Sequence, residues 1–333
     1  MKSPCLVSCQ LASIALVALT VSIPSARGES EKITGPRVHE NLAVYLIHGA
    51  DRVKDKKYLT LQEALAQKKA IVRETGNVNQ LVVENVSSDV DIYIQAGDIV
   101  KGGNQDRTLG TDLVLGSKSK TPITAFCVEQ GRWRQRGKES NEQFAGAGEQ
   151  VASKELKLAV RQKKAQGEVW KSVADAQSKL SSNVGAPVAA PESASSLQLT
   201  LENAKVKASA DNDVAALEKS VDETPDVIGF AFAVNGKMSS ADIYGSHELF
   251  KKMWPKLLKA AAVEAIAELK KDKTFEAPTI AQVEAALADA ETGKTTEEKV
   301  STRVKSITRE SKDNLLFETR DDDATLHRNY LVK

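Results

Sequence analysis

Short apolar runs separated by turn residues characterise the first half of the chain. Five of them occupy 42–47, 80–86, 90–95, 109–115 and 122–130. Glycine and serine punctuate the intervals, which is the pattern of short strands joined by tight turns. Thr60, with Glu63 three residues later, predicts a capping box and a short helix before the next strand begins near Ala70. These patterns predict a β-rich core with a sandwich-like or barrel-like antiparallel sheet.

The hydrophobic period changes to that of helices over 150–180, with Gly167 as the expected break. The stretch 181–196 is rich in serine, alanine and proline, so it is predicted to be a solvated linker or long loop. Strands return at 226–244, where Asn235-Gly236 is a strong short-range signal for a hairpin turn. The chain therefore places a helical block between two strand-forming regions.

A long amphipathic helix is predicted after this hairpin. Ser246 is placed to cap it, and its apolar face includes Phe250, Trp254 and Leu258, which we expect to pack on the sheet. Pro255 should bend or split the helix, because proline lacks the backbone donor that the helix needs. With such helices packed against the strands, the sequence predicts the α+β fold class.

The pattern divides the chain into consecutive segments. Residues 1–28 combine a lysine, an apolar run and small residues at the end, as in a secretory signal peptide, so we expect the protein to be secreted or periplasmic. The other segments are a flexible lead-in, 29–40, a β-rich core domain, 41–270, and a C-terminal extension, 271–333. The extension is predicted to hold a short helix and a terminal hairpin.

Charge and cysteine content exclude several classes of protein. The 46 lysines and arginines balance 45 acids without a basic stripe, which argues against nucleic-acid binding. No apolar stretch is long enough to cross a bilayer as a helix. Of the three cysteines, Cys5 and Cys9 lie in the signal segment, so Cys127 alone remains and no intrachain disulfide is expected.

No metal or cofactor is indicated by any motif. The four histidines lack zinc-site spacing, and the acidic run 321–323 lacks the alternation of a calcium loop, so this run is predicted to be a solvated turn. Cys127 shares a predicted strand face with Glu129, and a neighbouring carboxylate disfavours a thiolate. We therefore expect a buried, inert cysteine. The sequence does not indicate an oligomeric state.

The stretch 101–133 concentrates residues that bind anions. Gly102 and Gly103 allow backbone N–H groups to converge on one point, and Gln105 and Arg107 add side-chain donors. Such a concavity attracts phosphate or carboxylate. The alternative is a glycine-rich hairpin end that local hydrogen bonds hold in place.

A second group of candidate residues follows the strand at 122–130. Arg132 is either a ligand-binding arginine or part of a solvated edge, whereas Arg134 and Arg136 are predicted to be solvated charges on an edge strand. Glu129 ends the strand itself. Arginine recognises carboxylate and phosphate through its planar fork of donors.

The two groups are expected to meet in space. The runs 109–115 and 122–130 are consecutive strands with a short connection, so they should pair antiparallel and bring Arg107 and Glu129 to the same end. We predict that Gln105, Arg107, Glu129 and Arg132 line one concave ligand site, together with Gly102 and Gly103. The alternative is a structural ion pair between Arg107 and Glu129 with no ligand.

Several motifs resemble a known family. They are AGDIVKGGNQDR at 96–107, FCVEQGRW at 126–133, GFAFAVNGK at 229–237 and LFKKMWPKLL at 249–258. Together they resemble the ARG and rhodanese-phosphatase-superfamily-associated protein domain over about 41–270. The segments LFETR and LHRNY fit a longer, secreted subgroup. Family-typical positions matched here are Gly97, Gln105, Arg107, Cys127, Glu129, Arg132 and Trp133. The resemblance implies no established activity, and it links the chain to ADP-ribose or NAD metabolism only through genomic association with ADP-ribosylglycohydrolases.

Three classes of function are compatible with these residues. The first is a non-enzymatic exported module that binds a small anionic ligand or a partner at 102–107 and 129–133. The second is a hydrolase of a phosphate- or ribose-containing substrate, with Glu129 as general base and Arg107 or Arg132 stabilising negative charge. The third is a structural envelope protein. Convergence of the candidate residues on a pocket favours the first two classes.

Overall fold

The computed structural model describes residues 31–53, 56–221 and 224–333, apart from the side chains of 148–150. The expected signal peptide, 1–28, lies outside the described residues. The strands are β1 (Lys32–His39), β2 (Leu42–His48), β3 (Tyr58–Thr60), β4 (Ala70–Glu74), β5 (Gln80–Asn85), β6 (Asp91–Ile94), β7 (Asp98–Gly102), β8 (Arg107–Leu109), β9 (Leu113–Leu115), β10 (Lys120–Cys127), β11 (Gln143–Val151), β12 (Val227–Val234), β13 (Lys237–Tyr244), β14 (Lys294–Lys299), β15 (Val304–Glu310), β16 (Asn314–Asp321) and β17 (Ala324–Val332).

The helices lie mainly in the middle of the chain. They are α1 (Leu61–Ala66), α2 (Lys154–Leu158), α3 (Gln166–Val184), α4 (Leu197–Leu201), α5 (Ala204–Leu217), α6 (His247–Glu268) and α7 (Ile280–Glu291), with a π-helical turn at Ala159–Lys163 and a 3-10 turn at Glu218–Val221. No helix in the described part of the chain is long and apolar enough to cross a membrane.

Three sheets form the β-rich core. The largest has eight strands in the order β1-β2-β12-β13-β17-β16-β15-β14, and six strands close a barrel in the order β10-β5-β4-β11-β7-β8. The small sheet, β3-β6-β9, contains a parallel pair, β3 with β6. The predicted α+β class with a β-rich, barrel-like core is therefore confirmed.

Local sequence signals account for many of the elements. Thr60 and Glu63 form the predicted capping box, and the Ser246 side chain accepts a hydrogen bond at the start of α6. The β12–β13 hairpin turns at Asn235 and Gly236, both with positive φ, 52° and 73°. This is the conformation that an Asn-Gly turn adopts most readily.

Helix α6 packs on the large sheet as predicted. Phe250 and Leu258 are fully buried, and the ring of Trp254 meets the ring of Phe230 edge-on at 5.4 Å between centroids. Pro255 does not split the helix, which runs without interruption from His247 to Glu268. The opposite face of the sheet is covered by α7 through residues such as Leu287.

Two segments predicted to lie outside the core domain join its large sheet. The segment 29–40 was expected to be a flexible lead-in, yet its described part forms edge strand β1, paired along β2. The segment 271–333 was expected to extend a core that ends at residue 270. Strand β17 instead pairs directly with β13 of the predicted core, and β14 to β16 continue the same sheet.

Two predicted elements have different bounds. The run 109–115 forms two short strands in different sheets, because the chain turns between Leu109 and Leu113. The break in the helical block falls at Lys164, which has a left-handed φ of 50°, and Gly167 lies inside α3. Both changes move a boundary and leave the type of element as expected.

A buried polar cluster joins the large sheet to the smaller ones. The ring of His327, on β17, contacts Asp112 through Nδ1 at 2.7 Å and Asp242 through Nε2 at 3.0 Å. Asp112 lies in the turn before β9, and Thr319 donates to it at 2.8 Å. Tyr244 stacks on the imidazole with 4.6 Å between ring centroids. All five side chains are almost completely excluded from solvent.

Candidate ligand-binding site

The pairing of β8 with β10 brings the two groups of candidate residues together. Arg107 is directly opposite Cys127 in this antiparallel pair, so Glu129 lies just beyond the end of β10 on the same side. The predicted convergence of the two strand ends follows from this register. Cys127 itself is buried, and burial raises the pKa of its thiol.

The glycine turn forms as predicted, but its donors have protein partners. Gly102 and Gly103 have positive φ, 116° and 53°. The Gly102 amide donates to Asp106 Oδ1 at 3.1 Å, and the Gly103 amide donates to the Ser140 carbonyl at 2.9 Å. The two glycine carbonyls accept from Arg132 at 3.2 and 3.1 Å. The turn is thus closed by internal hydrogen bonds, as the alternative interpretation requires.

An acid–arginine network fills the space between the two groups. Arg132 Nε donates to Glu129 Oε1 at 2.6 Å, and Arg136 Nη1 and Nη2 contact Asp106 at 2.9 and 3.0 Å. Arg136 Nη1 also lies 3.3 Å from Glu129 Oε1. Both carboxylates are fully buried and both arginines are more than nine-tenths buried. Two negative and two positive side chains therefore neutralise one another inside the fold.

Gln105 and Arg107 belong to the same buried layer. Gln105 Nε2 donates to the Glu129 carbonyl at 2.7 Å, and Arg107 Nη1 donates to the Gln105 carbonyl at 2.8 Å. The carboxylate nearest to Arg107 is Glu74, at 3.6 Å, whereas Glu129 is paired with Arg132 and Arg136. The candidate residues therefore converge, but their partners differ from the predicted Arg107–Glu129 pair.

The charges in this network set opposite shifts for its two acids. Burial opposes ionisation of Glu129, but hydrogen bonds from Arg132, Ser193 and the Asp106 amide outweigh it and lower its pKa. Burial raises the pKa of Asp106 in spite of its bonds to Arg136. The network therefore favours ionisation of Glu129 more strongly than that of Asp106.

The predicted exposure of Arg136 is wrong. This arginine was expected to be a solvated charge beside Arg134, yet it is buried and also donates to Glu139 at 3.0 Å. Asp106 and Ser196, whose hydroxyl donates to Asp106 at 2.9 Å, were not among the predicted site residues. For Asp106, its position inside the glycine-rich motif was the one signal in the sequence that indicated a place in the site.

An open cleft of about 620 Å³ adjoins the network on its solvent side. It is lined by Gln130, Gly131, Arg132, Trp133, Arg134, Glu192, Ser193, Ala194 and Ser195, and we call it the Trp133 cleft. Trp133 is 58% exposed, an unusual state for so large an apolar side chain. Among the described residues, none forms a hydrogen bond or ion pair with the exposed Arg134 guanidinium.

Hydrogen bonds hold both walls of the Trp133 cleft. The Ser195 hydroxyl donates to the Gln130 carbonyl at 2.6 Å and accepts from the Gln130 amide at 3.1 Å. The Arg134 carbonyl accepts from Arg132 Nη1 at 2.6 Å. The predicted loop 181–196 thus contributes its last residues to the cleft, and α3 includes the first four.

The part of the chain that the structure describes contains no cluster of three or more histidine, cysteine or acidic side chains able to hold a metal ion. The acidic run 321–323 was predicted to be a solvated turn, but Asp321 is buried and pairs with Arg303 at 2.6 Å. The candidate chemistry of the site is therefore that of arginine, tryptophan and serine, with one exposed carboxylate, Glu192, on the cleft wall.

The chain belongs to the family of the ARG and Rhodanese-Phosphatase-superfamily-associated Protein domain, whose profile matches residues 30–331. The match covers nearly all of the chain, including the C-terminal strands β14 to β17. No curated protein and no solved structure is detectably similar to it.

Proposed function

We propose that this protein is a non-enzymatic module that binds a small anionic ligand with a flat ring in the Trp133 cleft. The observation that carries the proposal is that Trp133 and Arg134 line the same cleft, both exposed, on a loop that buried ion pairs hold in place. Arg134 has no ion-pair partner among the described residues. A rigid site of this kind loses little conformational freedom when a ligand binds.

The cleft offers a separate contact for each part of such a ligand. The face of Trp133 can stack on a nucleobase, an interaction of about 1–3 kcal/mol. The guanidinium of Arg134 can donate two parallel hydrogen bonds to a phosphate or carboxylate. The Ser193 and Ser195 hydroxyl groups on the opposite wall already donate to Glu129 and to the Gln130 carbonyl, so they hold that wall in place rather than supply donors to the ligand. A nucleotide such as ADP-ribose has both the ring and the charge that these contacts require.

The environment of Glu129 disfavours the hydrolase hypothesis. A general base must reach the attacking water and hold a pKa near the working pH. Glu129 is fully buried, its carboxylate accepts from two arginines, and its pKa is lowered. These properties support a structural role, in which Glu129 fixes the arginine that forms one wall of the cleft.

Export is a further part of the proposal. The first 28 residues have the composition of a signal peptide, and small residues precede Glu29. We expect the exported protein to begin at Glu29, which intact-mass measurement of the secreted or periplasmic fraction tests. Cytoplasmic protein that retains Met1 would contradict export without affecting the ligand site.

Isothermal titration of the purified protein with ADP-ribose, AMP, adenosine and ribose 5-phosphate tests the ligand site. We expect ADP-ribose and AMP to bind, and adenosine and ribose 5-phosphate to bind weakly, because each lacks one of the two recognised groups. Trp133→Ala should weaken binding of AMP by roughly 5- to 150-fold, the equivalent of about 1–3 kcal/mol. Arg134→Ala should also weaken it.

Arg37→Ala supplies the matched control, because Arg37 is likewise exposed but lies on edge strand β1. This variant should bind like the wild type. If no member of the panel binds, or if Trp133→Ala and Arg134→Ala bind as well as Arg37→Ala, the Trp133 cleft is not the ligand site. The hypothesis of a structural envelope protein would then be better supported than that of a ligand-binding module.

A further inference from the structure

A second cleft lies between α3 and α6, and it shares no lining residue with the Trp133 cleft. It has a volume of about 270 Å³. Its floor is apolar and consists mainly of Val151, Leu180, Leu197, Leu201 and Val263. Small side chains, Ser172 and Ala176 on α3 and Ala260 and Ala267 on α6, leave the space between the two helices. We call it the α3–α6 cleft.

A buried carboxylate lines the inner end of this cleft. Glu264, on α6, is only 8% exposed, and burial raises its pKa. Its Oε1 accepts from the Ser239 hydroxyl, and its Oε2 accepts from the Lys154 amide at 3.0 Å. The charge of Lys154 acts on it, but among the described residues no lysine, arginine or histidine lies within ion-pair distance. Burying a charge without a counter-ion is costly, so this carboxylate lacks the partner that such groups normally have.

The charges at the rim of the cleft are nearly balanced and mostly paired, and Glu155 pairs with Lys154 at 3.4 Å. The acids of the rim are Glu155, Glu168, Asp175 and Glu268, and its bases are Lys163, Lys171 and Lys179. Lys163 pairs with Glu168 at 2.6 Å, and Lys179 pairs with Glu268. Among the described residues, neither Asp175 nor Lys171 forms an ion pair. With Glu264 included, the cleft has an unpaired carboxylate at its inner end and another at its rim.

We propose that the α3–α6 cleft binds a short aliphatic diamine. One ammonium group lies against Glu264 and supplies the missing counter-ion, the methylene chain packs on Leu197, Leu201 and Val263, and the second ammonium group lies near Asp175 at the rim. Apolar walls with a few fixed polar groups are the usual composition of a small-molecule site. An anionic amphiphile fits less well, because its head group would meet the Glu264 carboxylate.

Calorimetric titration of the full protein with diaminoalkanes of three to six carbons tests this site. We expect one chain length to bind best, and the diol and the dicarboxylate of that length to bind at least about tenfold more weakly. The monoamine of the same length should bind with intermediate affinity, because it lacks the group that Asp175 recognises. Equal binding of diamine and diol, or no binding of any diamine, would overturn the proposal.

Variants locate the binding within the cleft. Glu264→Gln should weaken diamine binding at least about tenfold, and Asp175→Asn should remove the advantage of the diamine over the monoamine. Glu298→Gln, on the exposed edge strand β14, is the control and should bind like the wild type. Unchanged binding by a folded Glu264→Gln protein would show that the amine lies elsewhere.

A second variant covers the case in which Glu264→Gln does not fold, since Glu264 also accepts from the amide that begins α2. Ser172→Trp fills the cleft from the partly exposed face of α3 and leaves Glu264 in place. It should abolish diamine binding and leave the thermal midpoint of the free protein nearly unchanged. Diamine binding at wild-type affinity by this variant would also overturn the proposal. None of these outcomes depends on the Trp133 cleft.

Discussion

At the scale of single residues, a change of local conformation explains why Arg136 was predicted wrongly. The expectation of a solvated arginine row extended the two-residue period of a strand through 132–136. Strand β10 ends at Cys127, and Gly131 has a φ of +86°, so the chain leaves the strand and that period no longer applies. The chain then folds back so that Arg136 contacts Asp106, and no spacing in the sequence predicts this contact.

Two neighbouring arginines give a direct test of this network. Arg136→Ala should destabilise the protein by about 3–5 kcal/mol, because it leaves two buried carboxylates without that partner. Arg134→Ala removes an exposed arginine and should change stability by less than about 0.5 kcal/mol. Urea unfolding of both variants provides the measurement. Equal midpoints would show that Arg136 is as dispensable as its exposed neighbour.

His327 is the residue that should make stability depend on pH. Burial lowers the pKa of this imidazole, but the charges of Asp112 and Asp242 outweigh that effect and raise it above 6.5. The stabilisation from its protonated form is therefore complete below pH 6.5 and is lost as pH rises through the raised pKa. Arg161 and Lys157 also face this cluster, and burial lowers the pKa of the Arg161 guanidinium.

Unfolding free energies measured from pH 6 to pH 9 test this prediction. The wild type should lose stability as pH rises, and His327→Gln should be less stable at pH 6 with a flatter pH profile. Asp112 and Asp242 have lowered pKa values, so their contributions are lost only as pH falls below about 3.8. His247→Gln is the control, because the ring of His247 bonds to the Val227 carbonyl rather than to a carboxylate. A wild-type slope retained by His327→Gln would assign the pH effect to another group.

At the scale of elements, the sequence was informative where a local signal and an apolar period coincide. The capping boxes at Thr60 and Thr279 and the Asn235-Gly236 turn are of this kind, because their hydrogen bonds lie within a few residues. Strand β14 carries neither signal. All its residues, 294–299, are exposed, so its position depends on pairing with β15 rather than on burial.

Among the contacts between elements, the packing of α6 on the large sheet is the one whose contribution to stability is easiest to measure. Trp254 packs on Phe230 and Phe250, and its indole donates to the Glu218 carbonyl at 2.8 Å. Trp254→Ala should therefore cost about 3–5 kcal/mol, as large aromatic truncations in cores do. Trp133→Ala is the same change at an exposed position and should cost less than about 0.5 kcal/mol. Similar urea midpoints for the two variants would contradict the docked position of Trp254.

At the scale of the whole molecule, the feature that the sequence did not reveal is the order of strands in the large sheet. That order depends on pairing between strands far apart in the chain. The eight-stranded sheet places β17 between β13 and β16, so the last strand of the chain lies in its interior. Composition indicated a charged tail after residue 270, because the apolar runs there are short and polar residues surround them. Sheet order is a property of partners far apart in the chain, and a single sequence does not specify it.

This topology predicts the effect of removing the tail. A chain that ends at Lys270 lacks β14 to β17, which exposes the edge of β13 and removes His327 from between Asp112 and Asp242. It also uncovers the sheet face on which α7 packs. An unpaired apolar strand edge promotes association with other chains, so the shortened protein should aggregate or lack a cooperative unfolding transition. Near-ultraviolet circular dichroism and gel filtration provide the measurement. A monomeric 1–270 chain with a cooperative transition would show instead that residues 41–270 form an independent domain.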